Sequence, residues 1–384
     1  MPCVGWKMEQ TIKRIAIFVF YDHEGIVEPY VIKLLDGMRD YADYIYTVAN
    51  GFVQKEGQEQ LTSHSDKLLI RDNKGFDAGA VKDAIADLTN TNMLGQYDEL
   101  IIYNDTFWGF FYPLSDFFEG TSKEPDVDFW GFTEWPGNAP DDRIHIPEHL
   151  QSYFLYIKSR MLHGGDFLEF WNNMPYCEKF TEVLITYEQS FTQYFNERGY
   201  KSKAYYTVEK LGEKKEFNKI SYFIYAYDLV EKLHFPILKC KTFSIEGNMA
   251  DSEKLMGFLE ENQLYDTKLI KSHSVRFANE RSYFNLREIN KFCKKYKKIY
   301  VYGAGNYGKN VKAYLDANGY PFAGFIVTEK KDTDEKDTQE FKNFKLGPES
   351  GLIIGLIPKY TKEVLEEIKG KVPDEQVFTG QYWQ

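Results

Sequence analysis

The sequence predicts an α/β fold with a mostly parallel central sheet, followed by a small C-terminal βαβ domain. Three observations carry that expectation. Residues 15–20 (Ile-Ala-Ile-Phe-Val-Phe) and 100–103 (Leu-Ile-Ile-Tyr) are continuous apolar runs of the kind that buried parallel strands have. Amphipathic helical patterns lie between such runs, as expected where right-handed crossovers wind a parallel sheet. Near Leu286 the pattern restarts, and Gly303, Gly305 and Gly308 stand in G-x-G-x-x-G spacing between a strand pattern and a helix pattern.

The chain has 384 residues, 43% of them hydrophobic and 17% aromatic, with a net charge of -11. That length supplies cores for two or three domains. The acidic balance argues against nucleic acid as a partner. Cys3, Cys177, Cys240 and Cys293 are far apart with no C-x-x-C spacing, so neither zinc nor a disulfide framework is expected, and a cytoplasmic location is the default. No apolar run reaches the length of a membrane span, and the N-terminus has no signal-peptide core. A lipid-borne acceptor would therefore be met at the inner face of the cell membrane.

In chain order, the run at 15–20 is the first strand, and Tyr21-Asp22-His23-Glu24-Gly25 is the polar loop at its end. Pro29 fits the start of a helix whose Val31, Leu34, Leu35 and Met38 share one face. Residues 44–48 and 68–70 read as the second and third strands. Asn73-Lys74-Gly75-Phe76-Asp77-Ala78-Gly79-Ala80 then opens a helix reaching about Leu88. Gly75 and Gly79 can let a ligand approach the backbone, and a helix N-terminus favours anions. Asn73, Gly75 and Asp77 are thus candidate ligand contacts; Asp77 is equally placed to be the helix N-cap.

Gln96-Tyr97-Asp98-Glu99 precede the second long apolar run, which ends on Asn104-Asp105-Thr106. A buried strand with a carboxylate at its C-terminal end delivers that group to the crevice where open α/β sheets bind ligands. A carboxylate there suits Mg²⁺ or Mn²⁺ carrying a phosphate. Asp105 is the candidate metal ligand and Asn104 a candidate donor contact, beside the plainer reading of an Asn-Asp turn.

Residues 128–134 read as a strand running into the turn Trp135-Pro136-Gly137-Asn138. Trp130 and Trp135 can stack on a sugar ring, Trp130 being the better core residue. Glu134, just past the strand end, is a second-rank candidate base. Residues 140–147 read as a surface loop. His149 and Gln151, just before an apolar strand at 154–157, can line an acceptor or phosphate pocket, although a lone His is more often a structural hydrogen-bonder. A further helix is expected to start at Glu188 and to end at the C-cap Gly199. A Glu in a first turn also complements the helix dipole.

Tyr205-Tyr206 read as the last strand of the first domain, residues 210–219 as a charged loop and residues 248–262 as a bridging helix. Lys239 and Lys241 follow Pro236 and can contact diphosphate or anionic lipid. Beyond the restart, strands are expected at 298–302, 322–327 and 352–356, and helices at 310–317 and 361–368, with Glu329 ending the second strand. The roughly eighty residues from the glycines onward suffice for half of a dinucleotide fold. This Rossmann-like unit is either a structural or regulatory accessory or a nucleotide binder. The expected domains are 1–245, a helical linker at 246–285, and 286–384.

Four ordered motifs carry a resemblance. They are the Asn73–Ala80 segment, Tyr97-Asp98-Glu99-Leu100 leading to Asn104-Asp105, Asp128-Phe129-Trp130-Gly131-Phe132-Thr133, and His149-Leu150-Gln151-Ser152-Tyr153-Phe154. Over roughly residues 13–245 the chain resembles the rhamnan synthesis protein F family. The resemblance implies a GT-A type glycosyltransferase domain. Its expected donor is a nucleotide sugar, TDP-rhamnose or a UDP-sugar, with rhamnose favoured. Its expected acceptor is a growing cell-wall or capsular glycan, free or lipid-linked, with peripheral membrane contact. The GT-A metal motif is usually Asp-x-Asp; only Asp105 stands here. GT-A enzymes often set an acidic residue at a helix start against the acceptor hydroxyl, and Glu188 looks like that residue. An inverting transfer needs such a carboxylate as base while the metal holds the leaving diphosphate. The alternative is an NAD- or nucleotide-binding enzyme of nucleotide-sugar modification, centred on the C-terminal glycines.

Overall fold

Strand β1 (Arg14–Tyr21) buries six successive residues, which requires cover on both faces of the sheet. The computed structural model describes residues 12–137, 146–212, 222, 225–243, 252–277, 286–317, 319–331, 336–356 and 358–379. The chain divides into two units, Met1–Lys219 and Ile220–Gln384.

The first unit contains β1, β2 (Tyr44–Asn50), β3 (Lys67–Arg71), β4 (Glu99–Asn104), β5 (Phe107–Gly109), β6 (Phe129–Gly131), β7 (Glu134–Trp135), β8 (His149–Leu150), β9 (Phe154–Ile157) and β10 (Ser202–Ala204). Seven of these make one sheet in the order β10-β6-β9-β4-β1-β2-β3. Its pairings are parallel except those of β9, which runs antiparallel to β4 and β6. The α/β class with a mostly parallel central sheet is therefore the observed one. From β1 the chain steps outward through β2 and β3, then returns to lay β4 on the other side of β1. Strand order thus reverses between β1 and β4, and that reversal is where an open α/β sheet leaves a crevice at its C-terminal edge.

Helix α1 (Pro29–Arg39) buries Val31, Leu34, Leu35 and Met38, the face its spacing predicts. Helix α2 spans Lys55–His64, and helix α3 (Phe76–Asn90) packs Ala80, Val81, Ala84, Ile85 and Leu88 into one core with Ile15, Ile17, Val19, Leu100 and Ile102. Strand alternation turns Ala16, Phe18 and Phe20 to the opposite face, where they are equally buried. Phe167, Trp171, Phe191 and Phe195 close the α3 side. The expected strand at Tyr205-Tyr206 ends earlier, at Ala204. Trp130 is buried, as its place in β6 requires. Residues 140–145, 213–219 and 248–251 lie outside the described residues.

The second unit holds β11 (Ile237–Lys239) and a five-stranded sheet of β12 (Lys298–Tyr302), β13 (Phe322–Val327), β14 (Thr338–Glu340), β15 (Ser350–Ile354) and β16 (Val377–Phe378). The sheet order is β14-β13-β12-β15-β16, all parallel. Numbered from β12, that is 3-2-1-4-5, a doubly wound order. The sequence suggested only half of such a fold. Strands β14 and β16 are three and two residues long, too short to leave a periodic pattern. Among the described residues no helix is long and apolar enough to cross a membrane, and Cys177, Cys240 and Cys293 are buried.

Candidate functional site

The C-terminal ends of β1 and β4 are joined by Asp105. Its Oδ2 accepts the Tyr21 backbone N–H at 3.0 Å, and the Tyr30 hydroxyl donates to its carbonyl oxygen at 3.1 Å. Asn104, the last residue of β4, is 8% exposed. Its Oδ1 accepts from the Thr106 N–H at 3.2 Å and the Thr106 hydroxyl at 2.7 Å, so the expected Asn-Asp turn is present. Its Nδ2 donates to Asp77 Oδ2 at 2.9 Å. Asp77 is not the N-cap of α3, because Gly75 holds that position without a side-chain cap. Gly75 can adopt the left-handed turn that starts the helix, which frees Asp77 to reach across to β4.

The loop before α3 is pinned from below. Arg71 Nη2 donates to the Lys74 carbonyl, Nη1 to Asn50 Oδ1 and Nε to Asp83 Oδ2, each at 2.6 Å. Gly75 has φ +77, and a Cβ on Gly79 would stand 2.2 Å from the Lys74 oxygen. These glycines are thus required by the protein's own packing, whatever approaches from outside. Phe76 follows at φ 54, a left-handed conformation that costs a bulky residue about 1–2 kcal/mol. Strain of this kind concentrates at ligand sites. Two buried polar atoms nearby have no hydrogen-bond partner, Asn73 Oδ1 and Asn50 Nδ2. Orphans of this sort ask for a missing partner.

Across the edge, β7 and β8 form a short antiparallel pair with Trp135 opposite His149, their rings stacked at 6.3 Å and 17°. Glu134 therefore sits within β7, not past a strand end. Burial, with Glu148 and Glu209 adding repulsion, pushes its carboxyl up to about 7. His149 Nδ1 donates to the Pro147 carbonyl at 2.7 Å, which turns Nε2 toward Glu188 Oε1, 3.7 Å away. The Ser152 hydroxyl donates to Glu188 Oε2 at 2.8 Å. Gln151 Oε1 accepts from Thr133 at 2.6 Å, and Thr133 lies 2.5 Å from the Tyr153 hydroxyl.

Glu188 does not begin its helix. The helix starts at Phe180, where Glu182 Oε2 accepts the Lys179 N–H at 3.3 Å, and runs to Glu197 with a π-helical stretch, Leu184–Gln189, in the middle. The hydroxyls of Thr186 and Ser190 donate to the carbonyls of Glu182 and Thr186, back-bonds that help the helix open there. A helix dipole explanation for Glu188 is thereby removed, since it lies two turns inside.

The two halves meet where the Asn104 N–H donates to the Tyr153 carbonyl at 3.2 Å. Tyr187, beside Glu188 in sequence, is buried, and burial raises its hydroxyl pKa, with further contributions from Asp77 and Glu188. Asp77, Asn104 and Asp105 on one side and Glu188, His149, Trp135, Gln151 and Glu134 on the other thus share one edge of the first unit. Lys239 ends β11. Sequence reading passed over Tyr21, Tyr187 and Ser152. Ser152 lay within a quoted motif, whereas the backbone contact of Tyr21 leaves no side-chain signal.

Among the described residues no group of three or more His, Cys, Asp or Glu could hold a metal. A Mg²⁺ site completed by substrate phosphates and water needs only one or two carboxylates.

The chain matches the family described as rhamnan synthesis protein F over residues 45–304. It belongs to that family. It is 22% identical over 204 residues to the uncharacterized protein y4gN of Sinorhizobium fredii (strain NBRC 101917 / NGR234), an alignment of 51% of this chain and 49% of that one. The chain thus spans about half the length of the curated relative it matches. Among solved structures, a 4-diphosphocytidyl-2C-methyl-D-erythritol synthase aligns with TM-score 0.34 and 10% identity, over 54% of this chain and 94% of its own. A cytidylyltransferase from Leptospira borgpetersenii serovar Hardjo-bovis (strain JB197) aligns with TM-score 0.31 and 9% identity, over 67% and 97%.

Proposed function

We propose that this protein is a glycosyltransferase that moves a sugar, rhamnose favoured, from a nucleoside diphosphate to a growing cell-wall or capsular glycan. Membership of the rhamnan synthesis protein F family supports the reaction class. The observation that carries the site is the Asp77–Asn104 hydrogen bond beside Asp105, at the strand reversal between β1 and β4. Asp77 and Asn104 offer an acceptor and an amide to sugar or ribose hydroxyls. The start of α3 and the orphaned Asn73 Oδ1 face the same loop, where a diphosphate and its hydroxyl-bearing neighbours find opposite kinds of partner. Asp105 would hold a divalent ion, which when bound neutralises the leaving diphosphate.

Glu188 is the proposed base. Ser152 holds Oε2 and so orients the carboxylate, which would take the proton from the attacking acceptor hydroxyl. As the acceptor's hydroxyl oxygen attacks the anomeric carbon from the face opposite the diphosphate, the bond from that carbon to the phosphate oxygen breaks, the diphosphate leaves and configuration inverts. Trp135, stacked on His149, offers a flat apolar face to an acceptor sugar, with Gln151 beside it. Catalysis would take place on the cytoplasmic side, at the membrane surface if the acceptor is lipid-linked.

Thermal shift against TDP-rhamnose, UDP-sugars and NAD, each with and without Mn²⁺, tests the reading. A shift with a nucleotide sugar that needs Mn²⁺ is expected. A panel with no metal-dependent shift would sink it.

A further inference from the structure

The second unit contains a cavity of about 500 Å³, which falls in the range of small-molecule sites. Gly303 and Gly305 line it together with Glu329, Lys331, Leu356 and Tyr360. All but Tyr360, which lies in the helix Pro358–Ile368, follow the ends of β12, β13 and β15, the three strands around the reversal of a doubly wound sheet.

The three glycines of the loop are not equivalent. Gly303 has φ +106, and a Cβ there would lie 2.7 Å from Leu356 Cδ2 and 2.8 Å from the Gly355 oxygen. A Cβ on Gly308 would lie 1.8 Å from the Gly303 oxygen. The fold itself requires both. Gly305 is different: its φ is outside the left-handed region, and a Cβ there would meet no atom within 4 Å. Among the described residues nothing requires glycine at 305, and this residue lines the cavity. A ligand pressed against the backbone is what a side chain at 305 would exclude.

The rest of the wall has matching chemistry. The twelve-residue helix Asn306–Ala317 begins directly after Gly305, so its first N–H groups and dipole are available to an anion at the loop. Glu329 lies two residues beyond β13, where a carboxylate can accept from ribose hydroxyls. The Tyr302 hydroxyl, at the end of β12, is held by Thr328 Oγ1 at 2.8 Å and Glu367 Oε2 at 2.9 Å, which fixes the floor between strands.

We propose that this cavity binds the ribonucleoside diphosphate part of a larger molecule, with diphosphate over Gly305 and the helix start, and ribose on Glu329. A dinucleotide such as NAD and a nucleotide sugar such as UDP-glucose both carry that group. The site uses none of the residues assigned to sugar transfer.

Isothermal titration of the full chain with NAD, ADP-ribose and UDP-glucose, without metal, tests the proposal and separates the two sources. Saturable binding by at least one is expected, weakened roughly tenfold or more by Gly305→Val, which the open space at 305 lets fold normally. Circular dichroism checks that folding. ADP should bind more tightly than dADP, and Glu329→Ala should erase that preference. Absence of binding by all three ligands, or affinities unchanged in a folded Gly305→Val chain, overturns the site. Equal affinity for ADP and dADP overturns the ribose assignment. None of these outcomes touches the Mn²⁺-dependent shift that tests the first unit.

Discussion

Tyr21 donates its backbone N–H to Asp105 Oδ2 at 3.0 Å, tying the ends of two adjacent parallel strands at the point where strand order reverses. The same carboxylate is the proposed metal ligand, so its replacement touches both stability and chemistry.

Asp105→Ala should abolish transfer and also cost about 1–3 kcal/mol, because the Tyr21 N–H loses its acceptor. Asp105→Asn keeps an acceptor oxygen and should retain nearly the wild-type Tm while losing transfer. Turnover assays beside thermal melts separate the two effects. Unchanged turnover in Asp105→Asn would remove the metal assignment.

Glu188→Gln is nearly isosteric and keeps an acceptor for Ser152. Donor affinity should hold, and turnover should fall by roughly a hundredfold or more, the size of lost general-base catalysis. NMR of the wild-type product should show inverted anomeric configuration. Full activity in the variant with inversion would transfer the role to Glu134, whose Gln variant should then fail.

Glu134 predicts a pH effect of definite sign. Its folded pKa, about 7, lies above the ordinary carboxyl value of 4.5, so the folded state binds the proton more tightly than the unfolded one. Its contribution to stability is full below about 4.5 and is lost as pH rises through about 7. Glu134→Gln should therefore gain relative to wild type by about 1–2 kcal/mol between pH 5 and pH 8, after allowance for solvent screening. Denaturant melts across that range check it; a difference that grows toward low pH would contradict the cause.

Gly79→Ala should destabilise by about 1–3 kcal/mol, since its methyl would force the Lys74 carbonyl outward from Arg71. Donor affinity should fall with it, because Asp77 rides on the same turn. A variant with wild-type Tm would mean that the loop relaxes at no cost.

A chain ending near Arg281 should keep donor hydrolysis or transfer if it folds, because no residue assigned to chemistry lies beyond that point. Loss of all activity in a well-folded truncation would give the second unit a part in the chemical step.

Much of the scaffold was legible because burial on both faces writes itself as unbroken apolar runs: β1 and β4 were visible from Ile15 to Phe20 and from Leu100 to Tyr103. The position of Asp105 followed from the same run. What the sequence hid was nonlocal. Asp77 reads as a cap until its partner, 27 residues on, is known. Glu188 reads as a helix start because the Lys179–Glu182 contact that begins the helix lies before a stretch without clear periodicity. β14 and β16 are shorter than any window in which alternation can be counted.

The wide turn Leu184–Gln189 has a consequence for how activity can diverge on this scaffold. A turn wound i→i+5 takes up about one residue more than an α-turn, so deleting one residue here, and restoring ordinary pitch, would leave the flanking segments facing as they do, with Phe191 and Phe195 still in the core. The aromatic anchors could stay seated while the residue presented to Ser152 changed. Acceptor choice in such a protein is open to insertions and deletions as well as to substitutions, and a relative differing by one residue of length at this helix would present a different group to the same crevice.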